Sequence, residues 1–424
     1  GGLAVVTPSP IRISYAFRTG LVQDAVLATM TRARRRQLHR AAFEALSTRV
    51  DAAPPDAGTL AHHAFQGELW VAAANQAQKA MARSISRSEN KDALRIFELG
   101  LDAARRIEPE SASLPCELAL RLEALGALLA RSQFDQIVIN LERAETITNV
   151  LGDPRRQAGV ALQLAVTHWA CGSYRRGLAV ATRAGVAAAA AGSRGNQMAA
   201  LMGRMMHNHA LGRYADASAD AALIERDYAA ELLARRLLPG WAVIASVNLA
   251  AFVADIELWR GDLAAAQAAC DCGYQELKAQ DHSFSRALLD FSQAVVLLAQ
   301  QRSAEAAELL RTTLELCRVH EVITMQPAVL AHLSGALAQS GRVEQALALL
   351  EPAIAQHNSR AGGRYNEYYF PYFLAVALHH AGRADDAVAA ARQACDAAAS
   401  FEEVGHQARA LRLLARLEAL AGRD

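Results

Sequence analysis

Three pairs of histidines stand close enough in the sequence to raise the question of a metal site: His62 and His63, His207 and His209, and His379 and His380. On a helix, two ligands share a face when they are three or four positions apart, and none of these pairs has that spacing. Adjacent helical positions diverge by about 100°, so one histidine of such a pair packs inward while the other faces solvent. We therefore predict structural histidines and no metal.

The cysteines and the known catalytic motifs indicate no further chemistry. Six cysteines are spread along the chain, and only Cys270 and Cys272 are close together, without the Cys-x-x-Cys pairs of structural zinc sites. This usage is typical of a reducing compartment and predicts a cytoplasmic protein. The sequence contains no G-x-x-x-x-G-K-[ST] phosphate loop, G-x-S-x-G elbow or H-E-x-x-H motif. We predict that this segment is not an enzyme and has no catalytic residue and no cofactor.

A cluster of aromatic residues between positions 365 and 373 is the strongest local signal for binding. Aromatic residues make up only 6% of the chain, yet Tyr365, Tyr369 and Tyr372 fall on one helical stripe within this short segment. Tyrosine is favoured on surfaces that recognise a partner. The cluster predicts a partner contact, with packing between neighbouring helices as the alternative.

Charge and hydropathy exclude two classes of partner. The 44 basic residues nearly cancel the 43 acidic ones, so no global field attracts nucleic acid or an anionic membrane surface. Charged or amide residues interrupt every apolar stretch before about 18 residues, and no transmembrane helix is predicted. We expect no membrane contact and no direct nucleic acid binding by this segment.

A turn pattern recurs along most of the chain. An apolar helix ends in a small or polar residue, a hydrophobic residue follows two positions later, and an alanine-rich helix begins. The turn residues are Ser132, Gly172, Gly212, Gly261, Gln301, Gly341, Gly382 and Gly422. They recur every 40 or 41 residues, apart from the 49 between Gly212 and Gly261. Five positions after the first seven turns come Ile137, Gly177, Ala217, Ala266, Ala306, Ala346 and Ala387, mostly small residues that let two helices approach closely.

Residues 333–353 and 374–394 show this skeleton best, and they resemble the tetratricopeptide family. The family's aromatic positions are mostly aliphatic here, and the period of about 40 exceeds the usual 34, which implies longer helices. The resemblance implies an all-α fold, a right-handed superhelical solenoid of antiparallel helix pairs with a concave inner face. The nine extra residues of the long interval are placed near 232–241, where Pro239 and Gly240 break the helix.

The family rule that the first helix of each pair lines the concave face predicts a groove in this chain. That rule brings together Trp169, Met202, Met206, His209, Asp255, Trp259 and Phe291. An apolar lining with one carboxylate and one imidazole is typical of a site for a protein, peptide or small-molecule effector. The alternative is that these side chains fill the seams between helices.

Residues 11–46 resemble the junction of STAND-type signal-transduction ATPases, where a winged-helix element leads into helical repeats. The matching residues are Phe17, Leu21, Val22, Asp24, Ala25, Arg35, Arg36, Leu38 and His39. Thr19 and Gln23 stand where relatives have histidine and arginine. The resemblance continues into residues 60–64 and 69–74, where relatives have a Leu-Ala-His-His helix and then a Trp-x-x-Ala-Ala helix.

These resemblances imply a function and a division of the chain. Residues 1–50 are expected to be a winged-helix remnant with junction helices, 51–110 atypical repeats, and 111–424 the regular array. The implied function is a sensor or scaffold in a multidomain transcription activator or nucleotide cyclase, with an ATPase domain upstream of Gly1 in a longer parent chain. The alternative is a free-standing adaptor that mediates contact between proteins.

Overall fold

The fold is described from a computed structural model, which covers residues 4–8, 13–17, 19–48, 56–234, 243–278, 282–358, 367–420 and 422. The chain forms two compact units, Gly1–Arg131 and Ser132–Asp424. The described residues contain 21 helices and one two-stranded sheet. Among them, no helix has the length and apolar character needed to cross a membrane.

The first unit begins with a small antiparallel sheet. Its strands are β1 (Ala4–Pro8) and β2 (Ile13–Phe17), with Ala4 opposite Phe17 and Pro8 opposite Ile13. The helices of this unit are α1 (Gly20–Ala28), α2 (Arg32–Ser47), α3 (Ala57–Gln66), α4 (Trp70–Ser86), α5 (Asn90–Ala104) and α6 (Glu110–Ala130). The side chain of Asp56 caps α3 by accepting a hydrogen bond from the backbone of Thr59 at 2.9 Å, which satisfies a free donor of the first turn.

From α2 to α6, successive helices of the first unit pack as neighbours, and α4 also packs on α6. Gly100 on α5 makes this possible, because a methyl group there would lie 2.7 Å from Leu120 and 3.0 Å from Ala77. A residue without a side chain is therefore needed where α4, α5 and α6 meet.

The second unit is a stack of antiparallel helix pairs. Its helices are α7 (Phe134–Leu151), α8 (Pro154–Ala170), α9 (Tyr174–Ala190), α10 (Arg194–Ala210), α11 (Tyr214–Asp227), α12 (Ala229–Leu233), α13 (Ala245–Arg260), α14 (Leu263–Leu277), α15 (Ser283–Ala299), α16 (Ser303–Val319), α17 (Gln326–Gln339), α18 (Val343–Asn358), α19 (Tyr369–His380), α20 (Ala384–Ser400) and α21 (Val404–Leu420). The pairs are α8 with α9, α10 with α11, α13 with α14, α15 with α16, α17 with α18, and α19 with α20. First helices of successive pairs also contact each other, so the unit is a helical solenoid, as expected.

The predicted turn residues are confirmed. All eight, from Ser132 to Gly422, have a positive φ, which places each in the left-handed region that closes a helix. The sequence pattern identified only half of the turns, because the second helices also end in left-handed residues. Gly152, Gly192, Glu321 and Glu402 occupy those positions with φ between 55° and 66°.

The small residues that follow the turns lie where the two helices of a pair approach each other. Ala217, Ala266, Ala306, Ala346 and Ala387 are completely buried. Gly177 is packed against the ring of His207, where a methyl group would overlap the imidazole. The core of the solenoid therefore follows the predicted register, with alanine setting the close spacing of helices.

Two expectations about the division of the chain remain predictions. The boundary between the compact units falls after Arg131, and the three-part division at 50 and 110 is not tested by it. The insertion expected near 232–241 lies mostly outside the described residues. Its first residues belong to α12, a five-residue helix that packs against α10, α11 and α13.

Candidate functional site

The first helices of the second unit converge on one group of side chains, which we call the central cluster. It consists of His209 and Tyr214 near the turn between α10 and α11, Asp255 and Trp259 on α13, Phe291 on α15, His332 on α17, Tyr369 on α19, and His406 and Arg409 on α21. Side chains from six successive first helices therefore contribute to one site.

An imidazole and a carboxylate form one end of the central cluster. Nε2 of His209 lies 2.9 Å from Oδ2 of Asp255, which is close enough for an ion pair. Burial alone would raise the pKa of Asp255, but the neighbouring imidazoles of His209, His406 and His332 outweigh it and leave this pKa below its usual value. Asp255 is therefore an anion at neutral pH.

Stacked aromatic rings connect α13, the helix that carries Asp255, to α21. The rings of Tyr214 and Trp259 stack with 5.7 Å between centroids and 8° between planes, and Trp259 meets the edge of His406 at 5.5 Å. The imidazole of His406 also stacks on Tyr368 at 4.5 Å. Offset and edge contacts of this kind stabilise aromatic pairs beyond the area that they bury.

His332 is buried in the other half of the central cluster, where its ring contacts three aromatic side chains. Its ring lies 4.7 Å from Phe291, 4.6 Å from Tyr369 and 4.5 Å from Phe373. Nδ1 of His332 donates to the carbonyl of Ala328 at 2.8 Å, which fixes the neutral tautomer. Burial lowers the pKa of His332 to about 3, so the ring is uncharged at neutral pH.

Asp255, Tyr369 and Arg409 are half-buried side chains of the central cluster. The side chain of Asp255 keeps 33% of its accessible surface. The central cluster therefore combines partly exposed aromatic faces with one anion and one cation.

Arg409 is a half-buried cation with an aromatic neighbour. Its Nε donates to the hydroxyl of Tyr372 at 3.0 Å, and its guanidinium carbon lies 4.7 Å from the centre of the same ring. Burial alone would lower the pKa of Arg409, but the hydroxyls of Tyr372 and Tyr368 hold that pKa above its ordinary value. Within the described part of the chain, no carboxylate lies within ion-pair distance of this guanidinium.

The turn between α20 and α21 holds the last helix against the early repeats of the unit. We call residues 401–405 the closing turn. Glu403 is buried, and it accepts a hydrogen bond from the hydroxyl of Tyr174 at 2.6 Å and contacts Nδ1 of His406 at 2.8 Å. Gly405 lies so close to the hydroxyl of Tyr214 that an added methyl group would overlap it. The closing turn therefore lies beside His406, whose ring meets Trp259 on α13.

The structure brings together most of the residues predicted for the groove and joins them to the predicted tyrosine stripe. The central cluster contains four residues of the predicted groove, His209, Asp255, Trp259 and Phe291. From the predicted stripe it contains Tyr369, and Tyr372 contacts it through Arg409. The groove and the stripe, derived separately from the sequence, thus form one network. Tyr365 lies outside the described residues.

The remaining groove residues are placed differently. Met202 and Met206 are buried, and their sulfur atoms lie 3.8 and 4.0 Å from Nδ2 of Asn248 on α13. They fill the seam between α10 and α13, as the alternative interpretation expected for the group. Trp169 is half-buried near the end of α8.

Sequence reasoning missed Tyr214, His332, Glu403, His406 and Arg409. A usable signal existed for Tyr214, which is the hydrophobic residue two positions after the turn glycine Gly212. The others carry no local motif, because they join the site only through the packing of distant repeats.

The first unit contains a separate cluster of three histidines. The rings of His39, His62 and His63 lie 5.1 to 5.5 Å apart, and the Nδ1 atoms of His39 and His63 are 2.9 Å from each other. Burial lowers the pKa of His39 and of His63, which favours neutral rings that share a hydrogen bond. His62 is exposed, as the adjacent spacing predicted, and it borders a surface cavity of about 450 Å³. Among the described residues, no group of three or more ligating side chains has the arrangement of a metal site.

Comparison with known proteins supports the class of fold. No protein-family model matches the chain, and no curated protein matches it either. Among solved structures, the chain is similar to a Rap protein complexed with competence and sporulation factor, with a TM-score of 0.52 and 10% sequence identity. The match covers 82% of this chain and 97% of the Rap chain. At this identity, the likeness shows a shared fold, a tetratricopeptide-like helical repeat.

Proposed function

We propose that the second unit is a sensor that binds an effector at the central cluster. One observation carries the proposal: half-buried side chains from successive first helices bring aromatic faces and two opposite charges together. Pockets that combine apolar walls with a few convergent polar groups are typical of ligand sites. The Rap structure supports the proposal as a protein of the same fold seen in complex with a factor.

The closing turn supplies a physical route from ligand to fold. An effector at the central cluster contacts α13 and α19 as well as α21, and α21 is held in place by the contacts of Glu403 with Tyr174 and His406. A ligand that fits the closed arrangement better than an open one shifts the equilibrium towards it by its differential affinity. Binding is therefore coupled to the pitch of the solenoid.

We also propose that the sensor serves an ATP-dependent regulator of the STAND type, such as a transcription activator or a nucleotide cyclase. The junction-like residues 11–46 and the two-stranded sheet in front of α1 support this assignment. Finding a G-x-x-x-x-G-K-[ST] motif in the reading frame upstream of Gly1 is the expected result. An upstream frame without a nucleotide-binding domain would contradict it, and would favour the free-standing adaptor.

The effector site can be tested with N-phenyl-1-naphthylamine, an uncharged aromatic probe that fluoresces in apolar cavities. We expect saturable binding of one equivalent, with energy transfer from tryptophan. Trp259→Ala should weaken binding about tenfold, because one aromatic face of the proposed site is lost. Trp70→Ala in the first unit is the matched control and should retain full affinity.

Thermal melts of both variants show whether the fold is kept. Absence of saturable binding to the wild type, or equal affinity in the wild type and a folded Trp259→Ala variant, would contradict an interior effector site. Such a result would favour the adaptor function, in which the solenoid presents its outer surfaces to proteins.

A further inference from the structure

We propose that the closing turn is a releasable latch. The second unit then has two arrangements: the closed one described above, and an open one in which the closing turn leaves the early repeats while every helix pair stays folded. The inference rests on the contacts of residues 401–405 and not on the proposed effector site, so that either can fail without the other.

The closing turn fits two early turns of the second unit. Within the described residues, this unit has eight glycines with a positive φ, and an added methyl group would meet nothing within 4 Å at six of them. The exceptions are Gly172, where the methyl group would lie 2.5 Å from the ring of Phe401, and Gly212, where it would lie 3.1 Å from Cβ of Val404. Both neighbours belong to the closing turn. These two glycines therefore end a helix and also admit the closing turn.

Two tyrosines at the start of second helices contact the same turn. The hydroxyl of Tyr174 donates to the buried carboxylate of Glu403, and the hydroxyl of Tyr214 lies directly against Gly405. Tyr214 is held in place by its stacking on Trp259, with 8° between the ring planes. The closing turn thus meets a defined partner at each of these positions, and the contact is a specific docking of one turn on two others.

The docking contacts are weaker than the seams between paired helices. Val404 keeps 56% of its accessible surface, and Phe401 is only half-buried. The ion pair of Arg175 with Glu402 is exposed, and exposed pairs contribute little to stability. Release would also return the buried carboxylate of Glu403 to water, which offsets part of the contacts that are lost. The closing turn is therefore expected to open at a lower free energy than the repeats unfold.

The architecture of the unit makes this opening possible without unfolding. Five helix pairs lie between α9, which begins at Tyr174, and α21, and each pair packs mainly on its neighbours. A small change of angle at each interface adds to the next along the stack. The distance between the closing turn and the early turns therefore changes more than any distance between neighbouring helices.

The test compares Gly405→Ala with a matched control, Gly195→Ala. Each glycine is the second residue of a helix, of α21 and α10 respectively, where alanine favours the helix more than glycine does. A methyl group at position 405 overlaps the hydroxyl of Tyr214, whereas at position 195 it meets nothing within 4 Å. In small-angle X-ray scattering of the full chain, we expect Gly405→Ala to have a larger radius of gyration than both the wild type and Gly195→Ala. The helical signal in circular dichroism should be equal in all three proteins.

A second substitution should close the latch again. Tyr214→Phe removes the hydroxyl and leaves the nearest ring carbon 3.1 Å from the methyl group of Gly405→Ala, a separation that a shift of a few tenths of an ångström relieves. The double variant Gly405→Ala/Tyr214→Phe should therefore return to the wild-type radius of gyration. An unchanged radius in Gly405→Ala would overturn the proposal, and so would an expansion that Tyr214→Phe does not reverse. Loss of helical signal in Gly405→Ala would also overturn it, because closure would then be inseparable from folding.

Discussion

The hydroxyl of Tyr174 donates a hydrogen bond of 2.6 Å to the carboxylate of Glu403, a residue 229 positions later in the chain. Tyr174 begins α9, and Glu403 lies in the closing turn in front of α21. In a solenoid each repeat ordinarily contacts only its neighbours. This contact instead joins an early and a late repeat of the second unit.

We expect the Tyr174–Glu403 hydrogen bond to stabilise the fold more than a contact at the surface does. In a double-mutant cycle with Tyr174→Phe and Glu403→Gln, the coupling energy should be about 1–3 kcal/mol, because Glu403 is a buried charged acceptor. Urea unfolding of the four proteins measures it. The neighbouring pair of Arg175 and Glu402, with its nearest N and O atoms 2.7 Å apart, is exposed and should give less than about 1 kcal/mol. Coupling no larger than that of the exposed pair would mean that the closing turn is not held by this contact.

A second prediction concerns Gln301, a left-handed turn residue that is not glycine. Gln301 has a φ of 62°, where a side chain is strained and glycine is not. Gln301→Gly should raise the free energy of unfolding by up to about 1 kcal/mol. Gln300→Gly, one position earlier at a φ of −76°, should lower it, since glycine there only adds flexibility to the unfolded chain. Chemical denaturation of both variants tests the turn register, and destabilisation by Gln301→Gly would contradict it.

A third prediction concerns the close approach of α19 and α20. Ala387 is completely buried where the two helices meet, and Ala389, two positions later, is exposed. Ala387→Phe should destabilise the unit by about 1–3 kcal/mol or more, because the packed seam has no volume for a ring. Ala389→Phe should change stability by less than about 0.5 kcal/mol. Equal melting temperatures for the two variants would refute the packing described for this pair.

A fourth prediction follows from the buried histidines. Burial lowers the pKa of His332 and of His207 to about 3, against about 6.5 in the unfolded chain. Below pH 6.5 the unfolded state takes up protons that the folded state does not, so stability that is complete above pH 6.5 is lost as the pH falls towards 3. At pH 5, protonation of each histidine in the unfolded chain should lower the free energy of unfolding by about 2 kcal/mol.

The measurement is the change in the free energy of unfolding between pH 7.5 and pH 5. His332→Phe, which fills much of the same volume, should reduce this change by about 2 kcal/mol whatever its effect at pH 7.5. His320→Gln alters an exposed imidazole and should leave the change as in the wild type. A His332→Phe variant with the wild-type pH dependence would show that His332 is not held neutral.

The repeat and its turns could be predicted from the sequence because they depend on local rules. A left-handed turn residue and a small residue five positions later recur in every pair, whatever lies elsewhere in the chain. The central cluster follows no fixed position in the repeat. His209 lies three residues before its turn glycine, Asp255 six before Gly261, and Arg409 thirteen before Gly422.

This drift along the helix has a physical cause. Each repeat is rotated relative to the last, so a common point inside the unit meets successive first helices at different heights. A rule that assigns the same position in every repeat to the groove therefore finds His209 and Asp255 but misses His332 and Arg409. The closing turn was not predictable either, because the contact of Tyr174 with Glu403 depends on the accumulated curvature of the intervening repeats.

The account is tested most directly by a crystal structure of the chain grown with N-phenyl-1-naphthylamine. We predict one probe molecule at the central cluster, with its rings against Trp259 and Tyr369. Probe density only at the outer surface, or only in the cavity of the first unit beside His62, would contradict an effector site at the central cluster.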